Sequence, residues 1–310
     1  MSTVILLAVY NGEKHLPEQL ASLSAQTDGD FSVLYQDDGS SDGTPALMKA
    51  YMRNDRRFIP ASESGMHFGA AGNFLSLIRQ SDADLVLLCD QDDIWEAEKL
   101  AVLKQAMLRA EKEFGSDTPI LIHSDASVIN EDGSPLLPSF FRHQGWDAHA
   151  VTLPRLLVQN NVTGCTVMMN RPLRDLIAGY GRAKEMFMHD WFIALTAASF
   201  GRIVFVSRPL VRYRQHGTNT IGASRKTLPE RALEALGKRD RSRRRILLTY
   251  THAKVFRRIY GDKLPKQAAD TVDRYLATQK KRKLLRILSV RRLGCTMQSP
   301  ITRLGQLFFG

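Results

Sequence analysis

The chain has 310 residues, 44% of them hydrophobic, which is enough for one large α/β domain or a domain with an extension. Its three cysteines, Cys89, Cys165 and Cys295, are widely spaced and form no CxxC pair, which argues against a disulfide framework or a zinc site. The net charge of +11 is uneven, since residues 208–310 carry +20 and residues 1–207 carry −9. This division predicts a body that binds cations and a tail that meets an anionic partner.

The sequence carries no obvious targeting or membrane-spanning segment. The stretch from Met1 to Gly12 lacks the basic leader of a signal peptide. No run of about 18 uncharged apolar residues is present, so no spanning helix is expected. With the scattered cysteines, these features predict a cytoplasmic protein.

The first half of the chain alternates short apolar runs with segments of helical periodicity. Strands are predicted at Thr3–Ala8, Phe31–Tyr35, Phe58–Ala61 and Leu85–Cys89, and helices at Lys14–Gln26, Pro45–Arg53, from the Gly-rich loop Gly65–Phe74 to Arg79, and at Glu96–Phe114. Strands that alternate with helices at this spacing indicate βαβ units and a mostly parallel sheet.

The second half is less regular. Strands are predicted at Pro119–His123, Ala126–Ile129, Thr163–Met169 and Ile203–Val206, and helices at Pro172–Ile177 and His189–Phe200. The segment Phe140–Ala150 shows no regular hydrophobic periodicity and is expected to be a loop. Pro209 is expected to interrupt the regular secondary structure before Val211. From Leu228 onward the sequence is typical of basic helices.

Acidic clusters follow two of the predicted strands: Asp37-Asp38 after one, and Asp90, Asp92 and Asp93 after another. Because parallel strands end at the same edge of a sheet, both clusters could share one ligand. A nucleotide-sugar fits this pairing, since one acid can accept hydrogen bonds from the base or ribose while the other cluster holds Mg²⁺ or Mn²⁺ on the diphosphate. The alternative is a solvated acidic loop whose aspartates cap the next helix.

Six short motifs occur together in one order. They are Val9-Tyr10-Asn11-Gly12, Gln36 to Thr44, Gly69 to Phe74, Cys89 to Trp95, His189-Asp190-Trp191, and Tyr213 to Asn219. In this set the chain resembles the family 2 glycosyltransferases of the GT-A fold, and in particular bacterial rhamnosyltransferase-type members. The resemblance implies an α/β fold, a Rossmann-like and mostly parallel sheet flanked by helices, over residues 1–225. A basic helical C-terminal extension would occupy residues 226–310.

The resemblance also implies a set of site residues. They are Asp190 as catalytic base, Ala8, Tyr10, Asp38, Asn73, Asp90, Gln91 and Trp191 for nucleotide or substrate, and Asp92 and His216 for Mn²⁺ or Mg²⁺. Asp38 would contact the base, Asp90 would lie near the ribose, and Asp92 would be the principal metal ligand, with adjacent Asp93 as its substitute. Asp190 could instead be a simple N-cap.

Other residues near these motifs have ambiguous patterns. Trp191 could stack on a sugar ring or fill core, and Trp95 is expected to fill core. Arg212 and Arg214 could contact phosphate, but as loop residues they are expected to be solvated. Gly164-Cys165-Thr166 falls where the family lines the acceptor side.

The implied function is inverting, metal-dependent transfer of a sugar, with rhamnose as one candidate. The donor would be dTDP- or UDP-linked, and the acceptor a cell-surface polysaccharide such as O-antigen or a lipid-linked saccharide. Two alternatives remain open. A non-catalytic nucleotide- or sugar-binding subunit would not need Asp190, and a metal-dependent phosphohydrolase would need an acid after Thr3–Ala8, where none occurs.

The segment from Lys280 to Leu293 interleaves basic and apolar residues. This pattern is typical of helices that lie on an anionic membrane, and here that would be its cytoplasmic face. The alternative is a helical hairpin packed on the domain with a solvated basic face. Nucleic acid is not an expected partner, because the tail supplies charge without a recognition element.

Overall fold

The computed structural model describes residues 1–179, 188–215 and 239–299, together with residues 302, 303 and 306. The chain divides into two compact units. Unit 1 comprises Met1–Phe140, Val162–Ala197 and Gly201–Thr220, and unit 2 comprises Phe141–Asn161, Ala198–Phe200 and Ile221–Gly310. The domain boundary that the sequence predicts at residues 225–226 lies outside the described residues and stays a prediction.

The described strands are β1 (Thr3–Val9), β2 (Ser32–Asp37), β3 (Phe58–Pro60), β4 (Leu85–Asp90), β5 (Ile94–Trp95), β6 (Ile120–Ile129), β7 (Pro135–Leu137), β8 (Val167–Asn170) and β9 (Arg202–Arg214). The described α-helices are α1 (Leu16–Ser24), α2 (Thr44–Asn54), α3 (Gly69–Gln80), α4 (Lys99–Phe114), α5 (Phe140–Gln144), α6 (Leu153–Leu156), α7 (Arg171–Ala178), α8 (His189–Phe200), α9 (Arg239–Tyr260), α10 (Lys266–Thr278) and α11 (Lys283–Arg292). Short 3-10 turns occur at Gly164–Thr166 and Gly261–Lys263.

The strands form one mixed sheet in the order β3-β2-β1-β4-β8-β6-β9-β5, with β7 paired to β6. The long ladders β1–β2, β1–β4 and β6–β9 are parallel, whereas the ladders to β8, β5 and β7 are short and antiparallel. The α/β class and the mostly parallel sheet predicted from the sequence are confirmed.

The central strands are buried along their length. In β1 the run from Val4 to Leu7 is at most 6% exposed, and in β4 the run from Leu85 to Cys89 is at most 2% exposed. Continuous apolar runs of this kind are typical of parallel strands covered on both faces. Helix α3 packs on β1 and β2, and α4 packs on β6, β8 and β9.

The register of β1 sets the position of the functional residues. Ala8 pairs with Gln36 of β2 on one side and with Asp90 of β4 on the other, and Val9 pairs with Asp37. Both acidic clusters therefore end at the same edge of the sheet, as the sequence predicts.

Strands β6 and β9 differ from the prediction. Each runs through the point where a break was expected, at Ser124-Asp125 in β6 and at Pro209 in β9. The pairing register shifts there, with Asp125 opposite Pro209. A bulge accommodates proline because its nitrogen cannot donate to the ladder. The prediction of a loop at Phe140–Ala150 is also wrong in part, because this segment begins with the short helix α5.

Unit 2 is helical in its described part from residue 239, as predicted. In its interior the rings of Tyr250 and Tyr275 stack with centroids 4.7 Å apart, and both hydroxyls are hydrogen-bonded to threonines. Among the described residues, no helix combines the length and apolar character needed to cross a bilayer.

Candidate active site

The side chain of Gln91 ties the loop after β1 to the acidic turn after β4. Its Oε1 accepts a hydrogen bond from the Tyr10 backbone N–H at 2.7 Å, and its Nε2 donates to the Tyr10 carbonyl at 2.8 Å. A Cβ on Gly12 would lie 2.4 Å from Gln91 Oε1, so a larger residue there would displace this amide. The Gln91 side chain is thus engaged by main chain, while the Tyr10 side chain is 46% exposed beside it.

Asp38 lies at the amino end of α3 and is 3% exposed. Its carboxylate accepts hydrogen bonds from the backbone N–H groups of Phe68 and Gly69 at 2.5 and 2.9 Å, which satisfies donors that a helix start leaves free. His67 lies 3.2 Å from the same carboxylate and packs against Tyr10, with ring centroids 5.4 Å apart. Asp38 is therefore held by protein donors beside an aromatic pair, and its contact with a base stays a prediction.

Three aspartates gather at the end of β4. Asp90 and Asp92 are half-buried, and Asp93 is 1% exposed. Burial and the charges of Asp93, Asp92 and Asp190 raise the pKa of Asp90 well above its ordinary value. Burial and the Asp92 charge likewise raise the pKa of Asp93 to about 7. Side-chain oxygens of Asp90 and Asp93 and the sulfur of Cys165 lie within 4.8 Å of one another.

Lys99, the first residue of α4, places a cation inside this acidic site. The side chain is fully buried, its Nζ donates to the Cys165 carbonyl at 2.6 Å, and it lies 3.2 Å from the centroid of the Trp95 ring. Burial lowers the pKa of Lys99 to about 8, while the carboxylates of Asp93 and Asp90 favour its charged form. Trp95 is 3% exposed, so its predicted role in the core is confirmed.

Arg214, the last residue of β9, is a second buried cation. Its side chain is 1% exposed, whereas its loop-like sequence context predicts a solvated residue. The Arg214 N–H donates to Asp93 Oδ1 at 3.0 Å, its Nε to the Asp92 carbonyl at 2.9 Å, and one Nη to the Glu131 carbonyl at 2.7 Å. Its other Nη pairs with Glu18. The expectation is wrong because β9 continues past Pro209 and carries Arg214 into the acidic turn.

Asp190 lies at the start of α8 and is 8% exposed. Its carboxylate accepts hydrogen bonds from the backbone N–H groups of Trp191, at 2.6 Å, and of Gly164. Burial nevertheless raises the pKa of Asp190 to about 7. Gly164, which donates to Asp190, precedes Cys165, whose sulfur lies within 4.8 Å of side-chain oxygens of Asp90 and Asp93. The Asp190 charge also contributes to the raised pKa of Asp90, so the carboxyls share one site. A carboxyl with a pKa near neutrality suits a general base.

The remaining predicted residues fall in three groups. Asn73 is 2% exposed and donates to the Gln36 carbonyl at 3.1 Å, so it joins α3 to β2. Ala8 and Trp191 are half-buried, Ala8 at the sheet edge and Trp191 beside Asp190. His216 lies outside the described residues, so its assignment as a metal ligand stays a prediction.

Comparison with known proteins agrees with this geometry. Residues 4–153 match the family described as Glycosyl transferase family 2. The chain carries a family 2 glycosyltransferase domain. It is a glycosyltransferase, and the relatives below agree with that assignment.

Two curated relatives are similar over much of the chain. The glycosyltransferase is 28% identical over 228 residues to the dTDP-rhamnosyl transferase RfbG of Shigella flexneri, which covers 70% of this chain and 74% of that protein. It is 26% identical over 169 residues to the UDP-Glc:alpha-D-GlcNAc-diphosphoundecaprenol beta-1,3-glucosyltransferase WfgD of Escherichia coli, which covers 54% of this chain and 60% of that protein.

Two solved structures share the fold. S. aureus TarS 1–349 in complex with UDP-GlcNAc superposes with a TM-score of 0.55 at 17% identity, over 99% of this chain and 86% of TarS 1–349. The mannosyltransferase PcManGT from Pyrobaculum calidifontis, in complex with GDP-Man and Mn²⁺, superposes with a TM-score of 0.54 at 14% identity, over 94% of this chain and 72% of that one. The GT-A fold predicted from the sequence is confirmed.

The donor set of the glycosyltransferase fits a hard divalent cation. Asp90 and Asp92 offer carboxylate oxygens, the ligands that Mg²⁺ and Mn²⁺ prefer. Cys165 does not suit such a cation, because burial raises the pKa of its thiol well above its ordinary value and keeps it protonated. Asp93 points its Oδ1 at the Arg214 N–H, which favours Asp92 over Asp93 as a ligand.

Lys99 is not among the site residues predicted from the sequence, although its position offers a signal. Lys99 begins α4, where the helix dipole disfavours a cation, and the first turn of α4 contains no acidic residue. A lysine at this position, six residues after Asp93, indicates a nearby anionic site that compensates the dipole.

Replacing Arg214 should destabilise the fold. Arg214→Met removes the guanidinium donors to the Asp92 and Glu131 carbonyls, so we expect the free energy of unfolding in urea to fall by about 3–5 kcal/mol. Arg212→Met is the matched control, since its side chain is 49% exposed and pairs only with Glu96 among the described residues. It should cost about 1 kcal/mol or less. Equal effects of the two substitutions would contradict the structural role of Arg214.

Proposed function

We propose that the chain catalyses inverting transfer of a sugar from a nucleoside diphosphate donor to a saccharide acceptor. The observation that carries this proposal is the position of Asp190. A buried carboxyl with a pKa of about 7 lies beside an acidic cluster suited to a cation, at the carboxyl edge of the sheet. A protein that only bound a nucleotide would have no need of a base at this position.

The donor we propose is dTDP- or UDP-linked, with rhamnose as a candidate sugar. The support is the similarity to a dTDP-rhamnosyl transferase and the fold shared with a protein that binds UDP-GlcNAc. Tyr10, His67 and Asp38 form a partly aromatic border at the end of β1 and β2, where a base would stack. Asp90 ends β4 on the other side of β1, at a position suited to the ribose hydroxyls.

Asp190 would act on the acceptor. As the acceptor hydroxyl attacks the anomeric carbon, Asp190 takes its proton, and the bond from that carbon to the diphosphate oxygen breaks. The backbone N–H groups of Gly164 and Trp191 orient the carboxylate. Mn²⁺ or Mg²⁺, held by Asp92 with Asp90, would supply charge neutralisation of the departing diphosphate.

Asp190→Asn tests the assignment of the base. We expect kcat to fall by about 10²–10⁴, the usual contribution of a general base. In the unsubstituted enzyme kcat/KM should rise about tenfold per pH unit below pH 7 and level off above it, because only the ionised carboxylate can accept a proton. Asp117→Asn, in an exposed loop, should change neither quantity. Product formation from dTDP- and UDP-sugars, followed against pH, is the measurement.

Stability should respond to Asp190→Asn in the opposite direction. The pKa of Asp190 is higher in the folded than in the unfolded chain, so its ionisation destabilises the fold as pH rises from about 4 to 7. At pH 8 the asparagine variant should therefore be more stable than the parent by about 2–4 kcal/mol, and at pH 4 this gain should be absent. Full activity in Asp190→Asn would refute the assignment of Asp190 as the base. Loss of activity because Asp190→Asn is unfolded at pH 8 would refute it as well.

We also propose that unit 2 contacts an anionic membrane, where a lipid-linked acceptor would lie. Helix α11 presents Leu284, Leu285 and Leu288 to solvent, with exposed fractions of 76%, 57% and 52%. Their spacing puts them on one helical face, which the exposed Arg292 extends at the carboxyl end of the helix. Apolar and basic groups on one exposed face are typical of helices that bind anionic lipid.

Substituting the three leucines tests this contact. The assay measures the fraction of protein that sediments with vesicles containing about 30% anionic lipid. With all three leucines changed to serine, we expect this fraction to fall at least about tenfold. Leu108→Ser is the control, because Leu108 is 53% exposed on α4 of unit 1. If the triple variant sediments like the parent, α11 is not the membrane contact.

A further inference from the structure

A cavity of about 50 Å³ lies within unit 2, between α9, α10, α11 and the segment that follows α11. One water-sized group needs about 10–15 Å³, so the cavity has room for a small head group with a few carbon atoms. The lining residues that the structure describes all belong to unit 2, whereas the candidate active site is built from unit 1.

The walls of this cavity are apolar and preformed. Val158 and Val290 are 1% and 7% exposed, and the stacked rings of Tyr250 and Tyr275 form an adjoining wall. The Tyr275 hydroxyl is hydrogen-bonded to Thr249 at 2.6 Å and the Tyr250 hydroxyl to a threonine of α10 at 2.9 Å. Because these hydroxyls already have partners, the wall offers a ligand mainly ring and methyl surface.

The charges at the cavity are all positive. Three arginines line it, Arg286, Arg291 and Arg303, and no aspartate or glutamate does so among the described residues. The amide side chain of Gln306, which also lines it, accepts from the Met297 N–H and donates to the Cys295 carbonyl. Guanidinium groups bind phosphate oxygens strongly, in bidentate geometry. The cavity therefore combines an anion-binding rim with an apolar interior.

We propose that this cavity binds the phosphate head and first carbon atoms of an amphiphilic anion, a lipid phosphate. The position of helix α11 favours a lipid over free phosphate, because this helix contributes both to the cavity lining and to the exposed apolar face of unit 2. Arg286, Ile287 and Val290 line the cavity, while the leucines of the same helix form its exposed apolar face. The inference goes beyond the proposed function, since it requires neither a nucleotide donor nor a catalytic base.

The test is calorimetric titration of the full chain with octyl phosphate below its micelle concentration. We expect binding that weakens about tenfold or more in Arg286→Gln, which removes a rim charge, and in Val290→Phe, which fills the cavity. Arg291→Gln, at an exposed position, provides a variant that should fold normally and still bind more weakly. Arg282→Gln precedes the same helix without lining the cavity and should bind like the parent. Thermal unfolding confirms that each variant is folded.

Two comparison ligands test whether both the phosphate and the alkyl chain are needed for binding. One competitor tests whether the ligand binds outside the nucleotide site. Inorganic phosphate and octanol should each bind at least about tenfold more weakly than octyl phosphate, since each lacks half of the interaction. Saturating UDP with Mn²⁺ should leave octyl phosphate binding unchanged. Equal binding of inorganic phosphate or octanol, no binding of octyl phosphate, displacement by UDP, or unaltered binding by the folded cavity variants would each overturn the proposal. None of these outcomes depends on transferase activity.

Discussion

The structure depends on how a buried sheet edge accommodates several carboxyls at once. Burial raises the pKa values of Asp90, Asp93 and Asp190, and neighbouring carboxylates raise those of Asp90 and Asp93 further. Uncompensated charges at such a depth would cost several kcal/mol each. Two buried cations offset this cost. Lys99 approaches from the start of α4, and Arg214 from the end of β9, so elements distant in sequence are held at the acidic turn.

The same contacts join the predicted base to the predicted metal site. Lys99 donates to the carbonyl of Cys165, and the N–H of the preceding residue, Gly164, donates to Asp190. A displacement of the Gly164-Cys165 turn would therefore move the base relative to the acidic cluster. Backbone N–H groups, including those of Gly164 and Trp191, orient the Asp190 carboxylate, while burial raises its pKa to about 7. In the proposed mechanism the ionised Asp190 carboxylate is needed for catalysis, but its ionisation lowers the stability of the fold.

How much of the fold and of the candidate site can be predicted depends on how far apart along the sequence the residues of each feature lie. The edge with its two acidic clusters follows from local patterns, because apolar runs such as Leu85–Cys89 end directly in acids and parallel strands share an edge. The role of Arg214 does not, since its partner Asp92 is 122 residues away and the intervening Pro209 indicates a break. The bulge that admits Pro209 is created by pairing with β6, which no local pattern shows. The cavity of unit 2 likewise joins Val158 to residues of α9 to α11.

The most direct test of the account is nucleotide binding at the acidic edge. Thermal unfolding would be followed with UDP, dTDP and GDP, each with and without Mn²⁺. A ligand that binds only the folded chain at about 100 times its Kd stabilises it by about 2.7 kcal/mol. The account predicts stabilisation by one nucleotide that requires Mn²⁺, disappears in Asp92→Ala and persists in Asp132→Ala, on an exposed turn. A well-folded chain that no nucleotide stabilises in the presence of Mn²⁺ would contradict it.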